Sequence, residues 1–244
     1  MKAFLLAAGK GTRLAPLTDS VPKCLMPIHG KPLLEIWIDL FEKHGIHDIL
    51  INTHHHAEQV EAFVSGLGRR RDVGIHLFHE PALMGSGGTV LANRAFMEGE
   101  EFFFIAYADN LTDLDLGRMA DFHVRTCVAG GGCLTMGVRR VPDPAGCGVA
   151  VLDETGKILS FTEKPENPPK DAMANCGVYV VSTNFFDRLP PGMGEKRGVI
   201  DFGYHILPFL AGSMYGYPVR ERLIDIGTMG SYRRALAQWG AEAV

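Results

Sequence analysis

Ala3-Phe4-Leu5-Leu6-Ala7-Ala8-Gly9-Lys10-Gly11-Thr12-Arg13-Leu14 is the stretch that decides the fold; Pro22-Lys23-Cys24-Leu25-Met26-Pro27 and Gly30-Lys31-Pro32 follow it. Residues 3–8 form an unbroken apolar run of strand length closed by glycine, the pattern of a strand buried on both faces of a sheet. Gly9 and Gly11 let the backbone turn sharply and let a ligand come close. Successive N–H groups in such a turn form an anion-binding concavity. Arg13 and Lys23 add fixed positive charge, and arginine can grip phosphate with two parallel hydrogen bonds. The stretch reads as a polyphosphate cradle at the carboxyl end of the first strand, where open α/β sheets bind ligands. It is neither common glycine fingerprint. The dinucleotide pattern needs glycine where Leu14 stands, which disfavours a dinucleotide-dependent oxidoreductase, and the P-loop needs Gly-Lys-Ser/Thr, which Gly9-Lys10-Gly11 does not supply. The apolar run is also too short for a secretory leader, and Lys10 and Arg13 follow it at once.

The 244 residues suffice for one large α/β domain with a sizeable core. A net charge of −4 argues against a broad nucleic-acid or anionic-membrane surface. The only basic run, Arg69-Arg70-Arg71, reads as a solvated loop. Cys24, Cys127, Cys133, Cys147 and Cys176 are odd in number and form no Cys-x-x-Cys, which implies free thiols in a reducing compartment. No apolar stretch approaches the roughly twenty residues of a membrane span. These features together predict a cytoplasmic protein without nucleic-acid or membrane partners.

Further along, apolar spacing predicts a helix over 32–45, a strand over 48–52 and an amphipathic helix over 57–67. His54-His55-His56 lies between the last two; adjacent residues share no face, so the run reads as a turn rather than a chelating cluster. A strand over 73–78 precedes Gly85-Ser86-Gly87-Gly88-Thr89 and a helix over 90–96. Three glycines in four positions at a helix start imply close backbone approach to a flat or anionic group. Residues 102–107 form a buried strand ending in Asp109-Asn110. A carboxylate there needs a partner, and Asp109 is placed to hold Mg²⁺, a hard ion that prefers carboxylate and phosphate oxygens. Asp113 or Asp115 is the natural cap for the helix that follows, over 116–126. A strand over 133–138 and a hairpin pairing 149–152 with 158–161 come next. A helix over 201–210 and a strand over 214–218 lead to Asp225-Ile226-Gly227-Thr228, which opens a terminal helix over 229–241. Asp225, flanked by apolar residues, repeats the logic of Asp109, and two such carboxylates can clamp one Mg²⁺.

Leu6-Ala7-Ala8-Gly9-Lys10-Gly11-Thr12-Arg13-Leu14, with Pro22-Lys23 and Pro27, resembles the signature of the sugar-1-phosphate nucleotidylyltransferases (NDP-sugar pyrophosphorylases). The likeness continues through Ala108-Asp109, Glu163-Lys164-Pro165, Asn175-Cys176-Gly177 and Asp225-Ile226-Gly227-Thr228, so it spans nearly the whole chain. It implies an α/β, Rossmann-like, mostly parallel mixed sheet sandwiched by helices. It also implies one domain over 1–244, with a nucleotide-binding part over about 1–125 and a sugar-phosphate part over about 126–228. No hexapeptide repeat follows, so a C-terminal β-helix is not expected.

The implied reaction joins an NTP to a sugar 1-phosphate and releases pyrophosphate. Leu6, Ala8, Gly9, Gly11, Thr12, Arg13 and Lys23 would hold the nucleotide, and Gly85, Ser86 and Gly87 would meet its base. Asn110, Gly148, Glu163, Lys164, Asn175 and Gly177 would hold the sugar phosphate. Arg13, Lys23 and Asp109 carry the catalytic roles, with Asp109 and Asp225 as the ligands of Mg²⁺. The resemblance points first to guanylyl transfer onto a mannose- or heptose-type 1-phosphate. The alternatives are uridylyl or thymidylyl transfer to N-acetylmuramic acid or glucose 1-phosphate, and a non-catalytic nucleotide-sugar-binding subunit. The last is disfavoured because Arg13, Lys23, Asp109 and Asp225 are all present.

Overall fold

The structure, a computed structural model, describes residues 1–67, 71, 73–144, 146–193 and 198–240. Strand β1 (Lys2–Leu6) is the expected apolar run, with Ala3, Phe4 and Leu5 fully buried. Short strands β2 (Pro27–Ile28) and β3 (Lys31–Pro32) pair antiparallel and lead into helix α1 (Leu33–Lys43). Its Leu33, Leu34, Trp37, Ile38, Leu40 and Phe41 recur at helical spacing and are buried. Then come β4 (Asp48–Thr53), α2 (Ala57–Leu67), β5 (Gly74–His79), α3 (Ser86–Ala92), β6 (Phe102–Tyr107), β7 (Asn110–Thr112) and α4 (Leu116–Phe122). The chain continues through β8 (Leu134–Arg139), β9 (Gly148–Leu152), β10 (Lys157–Glu163), β11 (Met173–Ser182), β12 (Met214–Pro218), β13 (Leu223–Asp225) and α5 (Met229–Gln238).

The chain forms two compact units. An amino-terminal unit comprises residues 3–82, 107–114 and 221–244. In it, strands lie in the order β5–β4–β1, with β4 and β5 parallel from Asp48↔Gly74 to Thr53↔His79. A separate ribbon pairs β7 with β13 antiparallel. Trp37, 1% exposed, donates from its indole nitrogen to the Asn110 carbonyl at 2.7 Å, fixing α1 to β7. Helix α5 begins with a capping box between Thr228 and Ser231.

The central unit comprises residues 1–2, 83–106 and 115–220. Its strands lie in the order β6–β11–β8–β12–β10–β9. Strand β11 is antiparallel to β6, β8 and β9, β10 is antiparallel to β12 and β9, and β8 and β12 are parallel. Strands β6, β8, β9 and β12 therefore share one direction, and only β10 and β11 reverse. This is the mixed α/β architecture expected from the sequence.

Strand β11 and the short strands β2, β3 and β7 are additional to the sequence reading, and three helical elements differ from it. Helix α3 begins at Ser86 rather than Val90, because Gly85, at φ +80°, turns the chain and the Gly87 and Gly88 amides are satisfied by the Ile200 carbonyl. The helix expected over 116–126 is α-helical only to Phe122 and continues as a π-helical turn, His123–Val128. The helix expected over 201–210 is a π-helical turn, Phe202–Ile206, followed by a 3₁₀ turn, Leu207–Leu210. Pro208, which has no N–H to donate, sits at the start of that last turn. The expected hairpin is present, as are the Asp115 cap and the five free cysteines.

Arg69 and Arg70, like the expected helix end at Ala241, lie outside the described residues. Arg71 is not solvated as expected; it binds Glu35 at 2.9 Å, Glu42 at 3.2 Å, and Asp39. Burial pushes the Asp39 carboxyl up, but hydrogen bonds from Lys31 and Arg71 outweigh it and hold the group below its ordinary value. The three histidines serve the turn, as expected: His54, His55 and His56 bind the carbonyls of Glu80, Thr18 and Asp19 in turn.

In the central unit His123 is fully buried, with Nδ1 3.0 Å from Thr135 Oγ1 and Nε2 2.8 Å from Ser182 Oγ. Burial pushes its pKa down from 6.5 to about 4. Between those values the unfolded chain binds the proton and the folded chain does not, so stability is lost as pH falls through that window. The loss expected between about pH 7 and about pH 4 is roughly 3 kcal/mol from this residue. Urea denaturation across the range checks it: His123→Gln is expected to flatten the acid fall, and an equally steep fall in the variant refutes the assignment.

Candidate active site

The glycine turn of the amino-terminal unit is built against its own neighbours. Gly11 has φ +66°, and a Cβ there would lie 3.0 Å from Thr18 Cγ2 and 3.2 Å from Lys23 Cβ. Thr18 Oγ1 donates to the Gly11 carbonyl at 2.9 Å, and the Leu14 amide donates to the same carbonyl at 2.8 Å. Gly9 differs: nothing lies within 4 Å of where its Cβ would be. That open side leaves the backbone approachable, as a phosphate cradle requires. Behind the turn, the Ala7 amide donates to Asn52 Oδ1 at 2.6 Å, and Asn52 Nδ2 donates to buried Glu80 at 2.8 Å. Leu6 and Ala8 are buried beside this anchor.

Lys23 follows Pro22 in a short 3₁₀ turn and is 8% exposed. Its ammonium lies 2.5 Å from Asp109 Oδ2 and 3.8 Å from Asp225 Oδ1. The two aspartates, more than a hundred residues apart in sequence, are brought together by the β7–β13 ribbon. Asn110, the residue after Asp109, pairs with Asp225, and the Ile226 amide donates to the Asp109 carbonyl at 3.0 Å. The Asp225 carboxyl is pushed up, first by burial and then by the like charge of Asp109, against the pull of Lys23, the Gly227 amide and Arg13. Arg13 is exposed, and its guanidinium lies 3.1 Å from the point a Gly227 Cβ would occupy. The unit thus gathers Gly9, Gly11, Thr12, Arg13, Lys23, Asp109, Asn110 and Asp225. Among the described residues no group of three or more histidine, cysteine, aspartate or glutamate side chains is placed to hold a metal; Asp109 and Asp225 are the carboxylates that meet at Lys23.

The central unit carries the other candidates. The Gly87 amide is engaged by the Ile200 carbonyl and the Ser86 hydroxyl by Asp201, while a Cβ at Gly85 would lie 2.5 Å from the Ile200 oxygen. Glu163 ends β10. A Cβ at Gly148 or Gly203 would run into its Oε2, so the carboxylate is enclosed by backbone on two sides. Burial chiefly, and the Asp201 charge as well, push the Glu163 carboxyl up, against Lys164. Lys164 sits in the left-handed region at φ +46°, with Nζ 3.8 Å from Glu163 Oε1 and 5.8 Å from the Tyr204 ring centre. That backbone costs about 1–3 kcal/mol in a non-glycine residue. Asn175 donates to the Tyr179 hydroxyl at 2.7 Å and accepts from the Gly177 amide at 2.9 Å, inside an irregular stretch of β11 where Gly177 has φ +68°.

Sequence reasoning missed Asn52, Glu80, Asp201 and Gly203. The roles of the first two depend on the pairing of distant strands, and the Asn52-Thr53-His54 pattern signals only a structural turn. Asp201 had a signal, an acidic residue opening an apolar helix-like run, which was read only as a helix start.

A chain with this turn and this acidic pair can be set beside known proteins. It matches the family described as Nucleotidyl transferase over residues 2–241. The chain belongs to the nucleotidyl transferase family. It is 32% identical to a UTP–glucose-1-phosphate uridylyltransferase of Synechocystis, over 97% of this chain and 62% of that protein. It is also 32% identical to a mannose-1-phosphate guanylyltransferase of Mycobacterium tuberculosis, over 96% of this chain and 63% of that protein. The chain therefore spans less than two thirds of these nucleotidyl transferases' length. A Bacillus anthracis structure named as a glucose-1-phosphate thymidylyltransferase superposes with TM-score 0.82 at 24% identity, covering 97% of this chain and 94% of that one. HddC of Yersinia pseudotuberculosis superposes with TM-score 0.77 at 21% identity, covering 97% and 98%. At such identities the likeness is one of nucleotidyl transferase fold alone. Among the described residues no helix is long and apolar enough to cross a membrane.

The two turn glycines are expected to respond differently. Gly11→Ala should cost roughly 1–3 kcal/mol in urea denaturation, because its positive φ and close contacts both oppose a Cβ. Gly9→Ala should leave stability within about 0.5 kcal/mol in the same measurement. Equal losses of stability would refute the distinction.

Proposed function

We propose that the protein transfers a nucleotidyl group from an NTP to a sugar 1-phosphate, giving an NDP-sugar and pyrophosphate. The observation that carries this is the meeting of Lys23, Asp109 and Asp225 beside the Gly9–Arg13 turn, in a chain of the nucleotidyl transferase family. An oxygen of the sugar phosphate attacks the α-phosphorus; the new P–O bond forms as the bond to pyrophosphate breaks on the opposite side. Two polyanions must meet, so the protein's part is positioning and charge neutralisation rather than covalent chemistry.

In this reading Arg13 and the turn amides of Gly9, Gly11 and Thr12 hold the β- and γ-phosphates. Lys23 offsets charge at the α-phosphate. Gly85, Ser86 and Gly87 border the base, and Asn110, Gly148, Glu163, Lys164, Asn175 and Gly177 border the sugar phosphate. Glu163 accepts from sugar hydroxyls while Lys164 faces the phosphate. Residues of about 1–125 would chiefly serve the nucleotide and those of about 126–228 the sugar, within one functional domain.

The acidic pair fits a hard dication such as Mg²⁺. Repulsion from Asp109 favours a cation at Asp225, whose side chain is 54% exposed, and such an ion would draw its further ligands from phosphate oxygens and water. Bound by Asp109 and Asp225, the ion would supply positive charge to the phosphates. Asp109 and Asp225 themselves hold the Lys23 ammonium in place, and the Gly227 amide, 2.6 Å from Asp225 Oδ1, keeps that carboxylate oriented.

GTP with mannose or heptose 1-phosphate is the pair proposed first, in line with the name of the Mycobacterium tuberculosis relative. UTP or dTTP with glucose or N-acetylmuramic acid 1-phosphate is the alternative, of which UTP with glucose 1-phosphate is in line with the name of the Synechocystis relative. A reducing cytoplasm, where the five cysteines stay free, is the proposed compartment.

Purified protein with Mg²⁺, a panel of NTPs and several sugar 1-phosphates is expected to release pyrophosphate. Lys23→Ala, Asp109→Ala and Asp225→Ala are each expected to lower kcat at least about 100-fold while circular dichroism shows the fold retained. Wild-type release in all three would end the reading.

A further inference from the structure

We propose that Asp201 is a positioning residue that ties the glycine turn at residues 85–87 to the Glu163 carboxylate, so that occupation of one is felt at the other. The role rests on the nucleotidyl-transfer reading above and adds a link between the two substrates within the central unit.

Residues 84–88 and 200–202 are laced together. The Ile200 amide donates to the Met84 carbonyl at 2.8 Å, and the Gly87 and Gly88 amides converge on the Ile200 carbonyl at 2.8 and 2.9 Å. Ser86 Oγ donates to Asp201 Oδ2 at 3.1 Å and accepts from the Phe202 amide at 2.8 Å. The glycine turn therefore cannot move without moving Asp201. Gly85 admits no Cβ because the Ile200 oxygen stands 2.5 Å from that point, so the contact is backbone on backbone and has little room to relax.

The other oxygen of Asp201 looks toward Glu163. A Cβ at Gly203 would lie 2.5 Å from Glu163 Oε2 and 3.2 Å from Asp201 Oδ1, so the two carboxylates flank one point with no side chain between them. Two like charges so placed repel, and the Asp201 charge contributes, after burial, to the raised Glu163 carboxyl. Lys164, on the strand end that carries Glu163, opposes it. His205 is engaged on the backbone, its Nδ1 accepting from the Asp201 amide at 2.9 Å. A ligand hydroxyl or phosphate that settles on Glu163 and Lys164 changes the field at Asp201, and Asp201 holds the hydroxyl of Ser86. Asp201 also accepts from the Tyr204 amide at 2.9 Å as a cap of its own turn, and a cap alone would be purely structural.

Asp201→Asn and Ser86→Ala in the full chain separate the two roles. Positioning predicts that each variant raises KM for both substrates, by about 10-fold, and that Ser86→Thr, which keeps the hydroxyl, recovers both. It also predicts, by NMR, that the Glu163 carboxyl titrates at lower pH in Asp201→Asn. The Gly87 and Gly88 amide resonances should follow the Glu163 midpoint in the wild type and cease to follow it in Ser86→Ala. A lowered Tm with an unchanged Glu163 midpoint and an unchanged KM for the sugar phosphate is the result for a mere cap and overturns the proposal. If the wild type turns over no substrate pair, nucleotidyl transfer fails instead. The two NMR titrations then still decide the link: shifts as described support it and unchanged midpoints refute it.

Discussion

The ammonium of Lys23, lying between Asp109 and Asp225, is the interaction on which the amino-terminal unit depends. Two carboxylates this close repel, although each keeps part of its side-chain surface in water, 33% for Asp109 and 54% for Asp225. A single cation relieves that repulsion. The backbone then makes the arrangement permanent, since the Ile226 amide binds the Asp109 carbonyl and the Asn110 carbonyl receives the Trp37 indole. The site is therefore anchored to a buried helix as well as to a strand pair, which limits the rearrangement that a substrate would have to drive.

Absent side chains shape both units as much as charges do. Gly11 presses on Thr18 and Lys23, and Gly148 and Gly203 press on Glu163. In each case a side-chain carbon is missing where a charged group, or the loop that carries one, must lie. Lys164 shows the converse: a residue with a Cβ is held in left-handed backbone by the bond from its amide to the Cys147 carbonyl at 3.1 Å. Strain of this kind persists only where the surroundings over-determine the conformation, and it is concentrated at sites rather than spread through a core.

Much of this was legible in the sequence because the informative signals are local. The run from Ala3 to Gly11, the β-branched segment ending at Thr53 and the hairpin over Gly148–Glu163 each declare a strand by composition and its end by glycine or a turn. Asp109 and Asp225 were legible as strand-end acids, and the structure unites them. What escaped the sequence was non-local. Helix α3 starts early because Ile200, over a hundred residues away, satisfies its first amides. The stretch after Asp201 reads as an α-helix by periodicity, yet it is split into tighter and looser turns that serve Ser86 and accommodate Pro208. Arg71 read as solvated because its three acidic partners lie on α1, some thirty residues earlier.

The choice of lysine rather than arginine between the two aspartates carries a physical consequence. Arginine's planar fork would grip a carboxylate through two fixed bonds, whereas an ammonium is a compact point charge on a flexible stem. The contacts of Lys23 are unequal, close to Asp109 and longer to Asp225, so the second carboxylate is only partly neutralised. Its carboxyl stays raised by burial and by Asp109, which means that this corner of the unit still gains from additional positive charge. A site already neutral would have nothing to offer a cation. One with two carboxylates and no lysine would leave their mutual repulsion unrelieved while empty. The unequal sharing of one ammonium satisfies the folded protein and leaves a residual attraction for a cation.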